Sequence, residues 1–316
     1  MPPPLYAQTV VAFIWDYDRT LIPGNQQDPI FDEFDVDPAR FWLEVDGLVA
    51  YYEERGIRAA RDLAYLGHML TYVEAGLFPG LTRARLKELG ARVPTAPGIP
   101  EFFDLTRRHV ASIDAYAASG ITVEHHVVST GIVPMIEGSA MAGHIDGIWA
   151  NDFIERPAPP GYLDRLAVDD GDEPIQHLGY TIDNTAKTRA IFEINKGVNR
   201  SPEIDVNSRM SEDQRRVPMR HMIYIADGPS DVPVFSILNA NGGKTLGVYT
   251  TEPTSNFGQV KKLQEQGRIQ GMAKADYRPG EAAYLWLIDS LDQICGEIVD
   301  ARRRALAQIP RAPGHV

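Results

Sequence analysis

At 316 residues the chain is long enough for one large domain, or for a core carrying a smaller second one. Its 43 acidic against 31 basic side chains give a net charge of -12, which argues against a general nucleic-acid or anionic-membrane binder, since neither polyanion attracts an acidic surface. Cys295 is the only cysteine, so no intrachain disulfide or thiolate metal cluster is available, and nothing approaches the ~20 apolar residues of a membrane span; a soluble cytoplasmic protein is expected.

The first element is the apolar run of residues 10–15, VVAFIW, which fits a strand covered on both faces better than an alternating half-exposed one. It is too short for the apolar stretch of a secretory signal and no basic residue precedes it. Two carboxylates, Asp16 and Asp18, follow where the strand runs out. The next stretch holds helix-like runs at 39–54, 59–75 and 82–89 with no convincing strand, and ends in the breaker-rich segment 92–100. It predicts a helical domain over 23–96, inserted after the first strand of a core made from 1–22 and 97–316. The acidic run 28–37 is expected to be a solvated edge with Ile30, Phe31 and Phe34 packed inward.

Beyond the insertion, a helix is predicted over 101–119, between Pro100 and Gly120, and a strand at Val127 and Val128 leading into Ser129, Thr130 and Gly131. His125 and His126, just before that strand end, are not expected to bind a metal. Residues 156–174 and 197–218 read as long loops around a helix at 186–195. Strands follow at 222–226, ending in Asp227, and at 245–249, with a short last strand at 275–277. A helix from 280 to about 307 closes the chain, its Leu287, Leu291, Ile294, Ile298 and Leu306 spaced for core packing; a monomer or a homodimer is compatible with it. Strands alternating with helices indicate a parallel α/β sheet, in which ligands bind beyond the carboxyl ends of the strands.

Three of those ends carry polar residues that suit a single chemistry, namely Asp16 and Asp18, then Ser129, then Asp227 and Asp231. With Lys187 between the second and third, the segments DYDRTL (16–21), VSTG (128–131), NTAKTRAIFE (184–193) and ADGPSD (226–231) resemble, in order, the four motifs of the haloacid dehalogenase superfamily of phosphohydrolases. The resemblance implies a Rossmann-like doubly wound parallel sheet core with a helical cap inserted after the first strand, as in the phosphoserine phosphatase-like branch. It also implies roles. Asp16 is the nucleophile and a metal ligand, and Asp18 the general acid/base, whose backbone carbonyl also binds Mg²⁺. Ser129, with the Thr130 and Gly131 amides, binds the phosphoryl group. Lys187 neutralises phosphate and nucleophile, Asp227 ligates Mg²⁺, and Asp231 holds a metal-bound water or the lysine.

The residue types suit that chemistry. A carboxylate attacking a phosphate dianion is repelled by about 4 kcal/mol per charge pair at 4 Å and an effective dielectric near 20, so cations must converge on the site: a hard divalent ion and a lysine. The expected activity is hydrolysis of a small phosphorylated metabolite through an aspartyl phosphate. A phosphomutase using the same intermediate and a catalytically idle scaffold are the alternatives. Arg19 stands where many family members have glycine and some have serine; it is read as pointing to solvent, with an anion contact as the other possibility. Phosphoserine itself is not supported as the substrate, because Asn25 stands at the offset where that branch places a glutamate.

Overall fold

The computed structural model describes residues 7–164, 173–251 and 255–307. Its frame is a seven-stranded sheet in the order β4-β3-β2-β1-β5-β6-β7, where β1 is Val10–Trp15, β2 Thr122–Ile132, β3 Gly147–Ile154, β4 His177–Tyr180, β5 Met222–Ala226, β6 Lys244–Tyr249 and β7 Gly271–Lys274. All neighbours are parallel except β4, which runs antiparallel to β3 at the edge.

The all-apolar sequence of β1 follows from its central place. Val11, Phe13 and Trp15 belong to one hydrophobic cluster and Ala12 and Ile14 to the other, so every second side chain meets a different layer. The first layer contains α5 (Glu101–Ser112) and α11 (Ala282–Ala307), and the second contains α8 (Ala186–Lys196), α9 (Val232–Ala240) and α10 (Phe257–Glu265). Between β1 and α5 lie α1 (Asp28–Phe34), α2 (Pro38–Glu53), α3 (Ala64–Glu74) and α4 (Arg83–Gly90). Their Phe31, Phe41, Tyr65 and Met69 share the first cluster with Trp15 and Phe102, so the inserted helices have no separate core. The acidic run 28–37 contains α1, with Ile30 and Phe31 buried and Phe34 partly so. No helix among the described residues is long and apolar enough to cross a membrane.

Several boundaries differ from the sequence reading. The helix read over 101–119 is broken: Ile113 is extended (φ -98°, ψ 111°), and a second short helix, α6 (Asp114–Ala118), follows. The run 59–75 opens with a 3-10 turn, Arg61–Leu63, before α3. Strand β2 begins at Thr122, so His125 and His126 lie inside it. Both imidazoles are fully buried, which polarity in the sequence concealed. His125 Nδ1 accepts from Trp15 Nε1 at 3.1 Å. Its Nε2 lies 2.9 Å from Thr106 Oγ1, whose own proton goes to Phe103 O, so His125 is the neutral Nε2–H tautomer with both nitrogens engaged. The last strand is Gly271–Lys274 rather than 275–277. Gly271 carries no strand signal, yet a Cβ there would sit 2.5 Å from Trp286 Nε1, so the helix packed against this edge requires the glycine. Strand β4, short and mostly exposed, was hidden for the same lack of apolar pattern.

Of the two long connections, residues 165–172 of the first lie outside the described residues, and the remainder includes a 3-10 turn at Tyr162–Asp164. The second, 197–218, is irregular but anchored by the end of α8. Lys196 Nζ donates to Val206 O and Ser208 O at 2.5 and 2.7 Å, and Asn195 Nδ2 to Val217 O at 2.7 Å.

Candidate active site

The strand order reverses direction at β1: the chain leaves it for β2 on one side and later returns to β5 on the other. In such sheets the crevice beyond the carboxyl ends at the reversal is the ligand site. Register aligns the three ends. Trp15 pairs with Val127 of β2 and Ile225 of β5, and the Asp16 amide donates to Ile225 O at 2.9 Å. Asp16, Ser129 and Asp227 therefore emerge side by side.

Lys187 comes from the first turn of α8, where the Asp183 carboxylate accepts the Thr185 and Ala186 amides at 2.9 and 2.6 Å and fixes the helix start. Its ammonium is 1% exposed and donates to Asp16 Oδ1 at 3.0 Å and Asp231 Oδ1 at 2.7 Å. Asp231 is held further by Tyr224 Oη (2.5 Å) and Ser230 Oγ (2.8 Å), so both its oxygens are engaged. Asn256 Nδ2 donates to the carbonyl and the carboxylate of Asp227 at 3.0 and 3.1 Å. One carboxylate oxygen from each of Asp16, Asp227 and Asp231 lies within 4.8 Å of the others.

Asp18 is placed by a residue that the sequence did not single out. The Gln26 amide donates to Asp18 Oδ1 at 2.9 Å, and Gln26 Nε2 lies 3.4 Å from Oδ2. Gln26 Oε1 in turn accepts the Ile132 amide at 2.8 Å, so this fully buried side chain ties the loop after β1 to the end of β2. A Cβ on Gly131 would fall 1.6 Å from Gln26 Nε2; glycine there makes room for Gln26. The Gly131 amide donates to Ser129 Oγ at 3.0 Å, which leaves the Ser129 proton available to another acceptor. Thr130 O receives the Tyr65 hydroxyl (2.6 Å) and Asn151 Nδ2 (2.5 Å), joining α3 and β3 to this turn. Asn151, next to Asp152 in β3, and Gln26 and Asn256, in loop sequence, were not singled out by the sequence reading.

The charges do not balance. Burial, aided by Asp231 and opposed by Lys187, pushes Asp16 up to about 6. Burial and the neighbouring Asp16 push Asp18 up to about 7 against the Gln26 hydrogen bonds. Burial and the carboxylates of Asp16 and Asp231 push Asp227 up to about 8. For Lys187 burial works against the charge, but Asp16 and Asp231 outweigh it and hold the ammonium well above its ordinary range. Three carboxylates thus face one ammonium, with a fourth, Asp18, beside Asp16. Arg19 has φ +55°, in the left-handed region where glycine is at ease, and makes no ion pair within 4 Å among the described residues. Its half-buried side chain brings a positive charge to bear on Asp227 and Asp28.

Beside Asp18 and Thr130 a cavity of about 290 Å³ opens under α2 and the Arg61–Leu63 turn. A larger one, about 690 Å³, lies at the other end of the sheet near Thr9, His221 and Arg302 and holds none of the motif residues.

No model of a known protein family matches the chain. An uncharacterized protein of Borreliella burgdorferi is 35% identical over 289 residues, covering 90% of this chain and 97% of that one. Among solved structures, a HAD family hydrolase from Salmonella enterica subsp. enterica serovar Typhi superposes with a TM-score of 0.50 at 14% identity, over 87% of this chain and 69% of its own. A phosphoserine phosphatase in apo form gives the same score and identity over 85% and 96%.

Proposed function

We propose, for a chain that belongs to one family with the Borreliella protein and is built on the haloacid dehalogenase superfamily's phosphoserine phosphatase-like fold, a Mg²⁺-dependent phosphatase activity on small phosphate monoesters. The observation that carries it is the buried excess of carboxylate at the carboxyl ends of β1 and β5, bridged by the Lys187 ammonium and lying beside Ser129.

The donor set fits the metal. Hard oxygens from Asp16 and Asp227, whose carboxyls are pushed up for want of positive charge, with the Asp18 backbone carbonyl, would hold Mg²⁺, while Asp231 holds the lysine. When bound, the ion neutralises charge on the phosphoryl oxygens and on the attacking carboxylate.

This chain's own residues supply the rest. An Asp16 carboxylate oxygen attacks phosphorus, and the bond from phosphorus to the ester oxygen breaks. Asp18, with a pKa near 7, is suited to carry a proton at neutral pH and gives it to that leaving oxygen. Asp18 then takes a proton from water as the water oxygen attacks the aspartyl phosphate. The bond from phosphorus to Asp16 breaks, releasing inorganic phosphate and restoring the free carboxylate. Lys187 keeps Asp16 charged and oriented, and the Ser129 hydroxyl donates to a phosphoryl oxygen.

The test is phosphate release from an activated aryl phosphate by the purified chain. Turnover is expected with Mg²⁺ and none after chelation. Activity that persists without metal, or no activity with it, removes the proposal.

A further inference from the structure

The cavity of about 690 Å³ at the amino ends of the strands has the volume of a ligand pocket, which spans roughly 300–1,000 Å³. Its walls come from the approach to β1 (Gln8 and Thr9), the turn before β5 (Arg220 and His221) and the last turns of α11.

Two observations set it apart from a gap in the packing. His221 lines the cavity and is only 4% exposed, yet neither of its ring nitrogens has a hydrogen-bond partner among the described residues. Nδ1 is shut off from solvent as well, whereas Nε2 keeps accessible surface, so Nε2 is the nitrogen that opens on the cavity. Buried polar groups are ordinarily paired, and an orphan in a cavity wall is one that a ligand can satisfy. Burial and the neighbouring Arg220 push the His221 pKa down to about 4, so the ring is a neutral hydrogen-bonding group at pH 7. The second observation is Gln8, whose φ of +51° lies in the left-handed region that side chains seldom adopt. Its Nε2 donates to Glu212 O at 2.7 Å and Arg215 O at 3.0 Å, and its Oε1 accepts from Arg220 Nη2 at 3.4 Å. Backbone strain held in place in this way collects at ligand clamps.

The charge of the lining gives the sign of the ligand. In a chain with a net charge of -12, Arg220, Arg302 and Arg304 stand here against Glu297 alone. Arg220 has Glu212 at 3.7 Å, but Arg302 and Arg304 have no carboxylate within 4 Å among the described residues, and Arg302 is steadied by donating to Ser119 O at 2.7 Å. The rest of the α11 wall, Ile298, Ala301 and Ala305, is apolar. A cation is repelled here, and a neutral molecule leaves the guanidiniums unused.

We infer that this cavity is a second binding site, for a small organic anion: a carboxylate or phosphate head on Arg302 and Arg304, an apolar body against Ile298 and Ala301, and a hydrogen bond to His221 Nε2. The inference is independent of the phosphatase reading, since Asp16 and Asp227 lie at the opposite ends of β1 and β5.

The experiment titrates the full chain with anilinonaphthalene sulfonate, an aromatic anion that fluoresces in an apolar site, and then displaces it. One saturable site is expected, emptied by octanoate or octyl phosphate but not by octanol or octylamine at the same concentration. The tighter of the two anions names the head group. Arg302→Gln/Arg304→Gln is expected to weaken that anion by roughly tenfold. Ala301→Trp, which fills the cavity from an exposed helix position, is expected to abolish binding, and His221→Phe, which keeps a ring without its nitrogens, to weaken it with the fold intact by circular dichroism. Arg303→Gln, on the same helix but outside the lining, is expected to bind as the wild type does. Absence of a saturable site, displacement by octylamine as effective as by the anions, or an affinity unmoved by the arginine pair, by Ala301→Trp or by His221→Phe overturns the inference. So does an Arg303→Gln variant as weak as the arginine pair, which would reduce the effect to the general charge of the helix end.

Discussion

Both ends of the central sheet bury carboxylates, and they do so in opposite ways. At the amino ends, Glu124 of β2 is met by Arg216 at 2.8 Å, Arg200 at 3.1 Å and His126 at 3.1 Å, while Asp146 receives Arg107 and Arg200. Burial raises the Glu124 pKa, but His126 and Arg216 more than offset it and hold the carboxyl well below its usual range. At the carboxyl ends, Asp16, Asp227 and Asp231 share Lys187 with Asp18 beside Asp16, and three of the four are pushed above their usual range. A balanced cluster is a brace, complete in the folded chain. An unbalanced one has carboxylates that a further cation, such as the proposed Mg²⁺, would neutralise. Burial alone does not tell them apart; the direction of the shift does.

The largest effects should come from the unbalanced end. Asp16→Asn is expected to abolish turnover with the fold intact by circular dichroism. Asp18→Asn is expected to slow turnover by about 10²–10⁴-fold and to leave phosphoenzyme trapped after acid quench. Full activity in either variant breaks the assignment of that carboxylate.

The balanced end should answer in stability instead. Glu124→Gln leaves the largely buried Arg216 facing no charge, while Arg200 keeps Asp146, and is expected to lower unfolding stability by about 3–5 kcal/mol, read by urea titration. Activity per folded molecule should not change. A variant that loses activity without losing stability would mean that the two ends are not separate systems.

Metal addition sharpens the contrast with its sign. Asp16 and Asp227, ordinarily near 3.8, lie near 6 and 8 in the fold. The metal-free native state therefore binds more protons than the unfolded chain, and the resulting stability, present at low pH, is lost as pH rises through 6 to 8. Mg²⁺ competes with those protons, so the rise in melting temperature on adding Mg²⁺ is expected to be larger at pH 8 than at pH 6. At a hundredfold excess over Kd the gain is about 2.7 kcal/mol. Taking the difference with and without metal cancels the buried His125 and His221, whose depressed values act in the opposite direction. A metal effect independent of pH over this window would contradict the unbalanced charge.

The smallest effect concerns Arg19. Its left-handed backbone carries strain of roughly 1–2 kcal/mol, partly offset in a glycine variant by the ~0.5–1 kcal/mol of extra chain entropy. Arg19→Gly is expected to gain up to about 1 kcal/mol in stability. A rise in KM in the same variant would show that the strained arginine is kept for its charge near Asp227 and Asp28.

The sequence by itself determined the α/β class, the place of the helical insertion, and which carboxylates end the strands, because apolar runs and strand-end residues are local patterns. The lengths of β2 and β7 were not legible. Buried histidines in one and a glycine in the other take their meaning from Trp15, Thr106 and Trp286, which are distant in the chain. The site residues that tertiary structure alone supplied, Gln26, Asn256 and Tyr65, work by reaching across gaps of eight to 65 positions to hold Asp18, Asp227 and Thr130. A hydrogen bond across such a gap leaves no period or spacing in the sequence. Which carboxylates stay unpaired was also decided only in three dimensions, since charge balance depends on which cations the fold brings within reach.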